Sequence, residues 1–127
     1  MQFLSYKVNP RHRNRKPTQD TSVWTISEWV EVQLFGEASR KNWQSNDKNL
    51  LWAVHANGTR LSQIGLAPSN DLYIAKFRCD NNLEWHGYPV HPRGDDIPPE
   101  PVLELWRQEK IIDKTDKRRI QNGKFKK

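Results

Sequence analysis

The sequence predicts an α+β domain: a small antiparallel sheet with two short C-terminal helices packed on one face. Three observations predict it. Residues 72–90 form two alternating apolar–polar runs around Asp80-Asn81-Asn82, the pattern of a β-hairpin. Residues 100–123 carry apolar positions at helical spacing, interrupted near Asp113 and stopped at Gly123. The chain has 127 residues, the size of one domain, and only 35% of them are hydrophobic, so the core has to be economical. Six tryptophans (Trp24, Trp29, Trp43, Trp52, Trp85, Trp106) offset that shortage, because each aromatic buries a large area.

Three regions follow: a basic N-terminal arm or loop (1–20), one globular domain (21–113), and a basic C-terminal helix and tail (114–127). Residues 9–21 are proline-bounded, basic and free of apolar side chains. From Trp29 to Phe35 the pattern alternates, with Val30, Val32 and Leu34 on one side and Glu31 and Gln33 on the other. A strand is therefore expected there, ended by Gly36. The rival is a helix capped by Thr25 with Glu28 at the capping-box position. Residues 50–64 contain Asn57-Gly58, a strong hairpin signal that would pair Val54 with Leu61 and His55 with Arg60. A helix stopped at Gly58, with Leu50, Leu51 and Val54 on one face, fits equally well.

In the 72–90 hairpin a three-residue loop pairs Cys79 with Leu83. It sets Phe77 opposite Trp85 and Ala75 opposite Gly87 on an apolar face. The other face receives Arg78 opposite Glu84, Lys76 opposite His86, and Ile74 opposite Tyr88. Residues 91–100 are a proline-rich connector. A helix over 100–110 turns Val102, Leu103 and Trp106 inward, and a second, capped by Asp113 or Thr115, is anchored by Ile120. Both helices are expected on the Phe77–Trp85 face, with a two-sheet or barrel-like arrangement as the alternative. A helix-turn-helix reading of residues 59–77 yields to the strand pattern of Leu72–Cys79.

Charge is segregated along the chain. Residues 1–20 carry five basic side chains (Lys7, Arg11, Arg13, Arg15, Lys16) against Asp20. Residues 114–127 carry seven (Lys114, Lys117, Arg118, Arg119, Lys124, Lys126, Lys127) against Asp116. The stretch between holds nine basic and thirteen acidic residues, within a total of +6. Basic arms on a mildly acidic body point to a polyanionic partner, and nucleic acid, RNA in the first place, is expected. Arg11, Arg13, Arg15, Lys16, Lys114, Lys117, Arg118 and Arg119 are the expected contacts on the arms. Lys76 and Arg78 on the hairpin and Arg93 on the connector join them.

The hairpin's polar face also carries candidate chemistry. Glu84, His86 and Tyr88 would form a metal-independent ribonuclease site, as in a bacterial toxin. Glu84 or His86 would act as base on the 2′-hydroxyl, and Lys76 or Arg78 would stabilise the charged transition state. His91 or Arg93 would supply the leaving-group acid or a phosphate contact. The competing reading is an ordinary solvated sheet face. His12, His55, His86, His91 and Cys79 show no metal-ligand spacing, so neither metal nor cofactor is expected.

A different class of function is a protein-binding module: an immunity protein, inhibitor or adaptor. It would use exposed tryptophans and the acidic strip Asp95, Asp96, Glu100 and Glu104. The single cysteine excludes an intramolecular disulfide and fits a reducing cytosol, so a cytoplasmic location is expected. The segment MQFLSYKVNP lacks the apolar stretch of a signal peptide, and no run approaches a membrane span.

Overall fold

The structure, a computed structural model, describes residues 5–58 and 60–125. Its α+β architecture is built on a four-stranded sheet in the order β1 (Ser5–Tyr6), β9 (Glu84–Val90), β8 (Ile74–Cys79), β3 (Leu50–Val54). The three longer strands are antiparallel, and β1 adds to the edge parallel to β9, which makes the sheet mixed. A second sheet orders β2 (Val23–Trp24), β6 (Gly65–Ala67) and β7 (Asn70–Leu72). β4 (Ala56–Asn57) and β5 (Arg60–Leu61) form a short separate hairpin. Three helices complete the fold: α1 (Glu28–Lys41), α2 (Glu100–Gln108) and α3 (Lys114–Gln121).

The strand expected from Trp29 onward is a helix. Ser27, not Thr25, caps it: its Oγ accepts the Val30 amide at 3.2 Å. The buried residues of α1 are Glu31, Leu34, Phe35 and Ala38, an i, i+3, i+4, i+7 spacing that only a helix places on one face. The alternation that suggested a strand is incidental, since Trp29 is 71% exposed.

The 72–90 hairpin forms with its loop displaced by one residue. Asp80 pairs with Glu84 around Asn81-Asn82-Leu83, the Asp80 carboxylate accepts the Asn82 and Glu84 amides, and Leu83 takes φ +60°. Cys79 therefore faces Trp85, Arg78 faces His86, Phe77 faces Gly87 and Lys76 faces Tyr88. The shift moves the register by two, so every side chain keeps its expected face. Gly87 explains the choice: a Cβ there would lie 2.4 Å from the Phe77 ring, so the ring sits over bare backbone. The Asn57-Gly58 hairpin is displaced in the same sense, pairing Ala56 with Leu61 and Asn57 with Arg60.

Phe77 and Trp85 are buried together, but α1 covers them, not the C-terminal helices. The Phe35 ring lies 5.6 Å from each. α2 and α3 are present with Val102, Leu103, Trp106 and Ile120 inward, and they take the opposite face. There Trp43, which pairs across the edge with Trp52, meets the Trp106 ring edge-on at 5.7 Å. The Trp52 indole donates to the Asp96 carbonyl at 3.2 Å, fixing the connector on that face. Asp113 and Asp116 cap α3 reciprocally. Among the described residues no helix is long and apolar enough to cross a membrane.

Candidate nucleic-acid interface

A cleft of about 870 Å³ opens where the second sheet meets β9. Gly65 allows that junction: a Cβ there would meet the Pro89 ring at 2.4 Å and the Val23 carbonyl at 2.7 Å. One wall is the turn closed by Thr18 and Thr21, whose backbones bond each other at 2.9 and 3.3 Å. The other walls are the β6–β7 turn around Pro68-Ser69 and the strand end Tyr88–His91, with Arg93 beyond.

The N-terminal segment does not trail away from the body. Asn9 caps a short 3-10 turn over Pro10–His12, and the Arg11 Nε donates to the Thr21 hydroxyl at 3.1 Å. The His12 Nδ1 lies 2.7 Å from the Ser22 carbonyl, and its ring stacks on Tyr88 at 5.4 Å and 19°. A carbonyl only accepts, so Nδ1 carries the proton and Nε2 keeps its lone pair. Burial pushes the His12 imidazole below its ordinary range. The Ser22 hydrogen bond opposes that, and the charges of Arg11 and Arg15 add to it. Burial pushes the Tyr88 phenol up, with Asp96 adding and Arg78 opposing, so it remains a hydrogen-bond donor.

The structure brings Arg11, Arg78, Arg93 and Tyr88 of the expected site into this one cleft, with His12 and His91 beside them. Arg11, Arg78 and Arg93 are exposed. His12 had no signal of its own in the sequence, because its partners Ser22 and Tyr88 are brought to it only by folding. The segment just after α3 touches the cleft at His91, whose Nε2 lies 3.3 Å from the Gly123 carbonyl. Arg15, Lys16, Lys114, Arg118 and Arg119 are exposed.

Other expected contacts are turned inward. Lys76, at 5% exposure, binds the Asp96 carboxylate at 3.1 Å and the Asp95 carbonyl at 2.8 Å, over the Trp52 ring. The aliphatic stem of a lysine suits such a site between Trp52 and Tyr88 better than its place on a polar face suggests. Arg13 grips the buried Glu31 at 2.6 Å. Lys117 bridges Glu100 at 2.8 Å and Glu104 at 3.0 Å, so much of the acidic strip is neutralised from within.

Glu84 and His86 lie outside the cleft lining that holds Tyr88. They gather with Asp80 at the hairpin tip, where the His86 Nε2 lies 3.2 Å from Asp80 and 3.5 Å from Glu84. These three offer ligand atoms within 4.8 Å of one another and could hold a cation, although the Asp80 carboxylate already accepts two loop amides. No family model, curated protein or solved structure matches this chain.

Proposed function

We propose that this protein binds single-stranded nucleic acid, RNA in the first place, in the cleft between the Thr18–Thr21 turn and β9. The observation that carries the reading is the convergence of Arg11, Arg78 and Arg93 on the stacked His12–Tyr88 pair. Arginine binds phosphate through a planar fork and also stacks on bases. An aromatic pair lined by cations is the arrangement that holds unpaired bases while the backbone is neutralised. Such binding is largely independent of sequence, because phosphate contacts position a strand without reading it.

Fluorescence anisotropy with a labelled single-stranded RNA tests this. Changing Arg11, Arg78 and Arg93 together to Gln is expected to weaken binding at least tenfold, and Tyr88→Ala to weaken it further through lost stacking, worth about 1–3 kcal/mol per base. Parent-like affinity in the triple variant would refute the assignment. A second reading, a protein-docking face, rests on Trp29 and Val32, which protrude from α1 at 71% and 39% exposure. It predicts instead that Trp29→Ala abolishes partner capture while RNA has no effect.

A further inference from the structure

We infer that the cleft also cleaves the RNA it holds, with His12 taking the proton from a ribose 2′-hydroxyl and His91 protonating the departing 5′-oxygen. The inference rests on the RNA-binding reading above and adds a reaction to it. Its basis is the placement of two imidazoles in one arginine-lined cleft, each tied to a carbonyl through one ring nitrogen. His12 gives Nδ1–H to Ser22, leaving Nε2 as the proton acceptor. His91 gives Nε2–H to Gly123, leaving Nδ1 to carry the proton that an imidazolium delivers. Burial and the charges of Arg11 and Arg15 favour the neutral form of His12, the state a base needs.

The step balances without a further reactant. The 2′-oxygen loses its proton to His12 Nε2 and bonds to phosphorus. The bond from phosphorus to the 5′-oxygen breaks, and that oxygen takes the proton of His91. One strand leaves with a 2′,3′-cyclic phosphate and the other with a 5′-hydroxyl. Arg11 and Arg78 face the phosphate, whose charge is more spread over its oxygens in the transition state than before it. Tyr88 holds the His12 ring from its other face. His86, which the sequence singled out, lies at the hairpin tip with Asp80 and has no part in the reaction.

The test uses the full chain, a labelled single-stranded RNA and the same strand fully 2′-O-methylated. Cleavage is followed by gel in the presence of EDTA, with end-group analysis for cyclic phosphate. Binding of the methylated strand is read separately by anisotropy. His12→Asn keeps a donor for the Ser22 carbonyl and so preserves the turn, and near-ultraviolet circular dichroism checks folding. We expect the parent to cleave RNA to cyclic-phosphate ends and leave the methylated strand intact. His12→Asn and His91→Ala should each cleave about 10²–10⁴-fold more slowly at saturating RNA, and His91→Ala, which keeps the His12–Tyr88 stack, should bind the methylated strand like the parent. His86→Ala should match the parent. A parent that binds the methylated strand but never cleaves RNA overturns the reaction and spares the binding. So does a His12→Asn variant that cleaves like the parent. A parent that binds neither strand overturns both readings.

Discussion

Glu31 has no exposed surface, yet it is a carboxylate in the first turn of α1. Its Oε2 accepts the Tyr6 hydroxyl, and its Oε1 accepts Arg13 Nη2 at 2.6 Å and Nε at 3.2 Å. Arg13 also donates to the Ile26 carbonyl at 2.6 Å. Burial pushes the Glu31 carboxyl up, while the Tyr6 and Arg13 hydrogen bonds pull it down. One side chain thus joins β1, the segment after the 3-10 turn and α1, and it holds His12 in position from a distance. Breaking such a buried pair leaves a charge without a partner. Glu31→Ala is expected to cost about 3–5 kcal/mol in denaturant unfolding and to loosen the His12–Tyr88 stack. Arg15→Ala, an exposed neighbour of the same type, should stay within about 0.5 kcal/mol of the parent. Equal stabilities for the two variants would contradict the inward placement of Arg13 and Glu31.

At the scale of elements, the 80–84 loop asks for a residue in the left-handed region, and the sequence supplies Leu83 at φ +60° with half its surface exposed. Glycine adopts that conformation without Cβ strain, so Leu83→Gly should raise stability by about 0.5–1 kcal/mol, read as a higher urea midpoint at unchanged slope. A lower midpoint would mean that the Leu83 side chain packs more than it strains. The α2–α3 contact offers a pH test. Arg107 and then Lys117 hold the Glu104 carboxyl down at about 2, below its ordinary 4.5. A carboxyl with a depressed folded value stabilises the fold above its unfolded value and loses that contribution as pH falls toward about 2. Between those limits α3 is expected to loosen, as amide exchange at Ile120 would record, and Glu104→Gln should remove that dependence.

The same elements show what the sequence made legible. The C-terminal helices and their inward residues were readable because their apolar spacing and the Asp113 cap are local signals. The hairpin faces were readable, but their register was not. Both hairpin loops sit one residue further along than their turn signals suggested, and the 72–90 register answers to the fit of Phe77 over Gly87. α1 misled because Val30, Val32 and Leu34 alternate while the buried set follows Glu31, a charged residue that no hydrophobic pattern counts. Arg11, Arg78, Arg93 and Tyr88 of the cleft were foreseeable from the sequence. The cleft's assembly depends on contacts between residues far apart in sequence, such as Ser22 with Pro89 at 2.6 Å.

For the whole molecule, the segregation of charge survives folding in altered form. Arg13, Lys76 and Lys117 are spent on internal carboxylates. Arg11, Arg15, Arg78, Arg93, Arg118 and Arg119 remain exposed, and the segment just after α3 touches the cleft through the His91–Gly123 contact. A strand leaving the cleft past His91 would therefore run onto α3. Affinity for such a track falls with salt, with a slope of about 0.7 per neutralised phosphate for a single strand. Changing Arg11, Arg78 and Arg93 to Gln should flatten the slope by about two units, and changing Lys114, Arg118 and Arg119 to Gln by about one to two more. Substitution serves better than removal of residues 114–127, because Ile120 and Phe125 are buried and their loss would disturb the core. Lys117→Gln supplies the contrast: its ammonium already serves Glu100 and Glu104, so it should lower stability and leave the slope unchanged. If the α3 substitutions flatten the slope and the cleft substitutions do not, the strand lies along α3 alone and the cleft has another use.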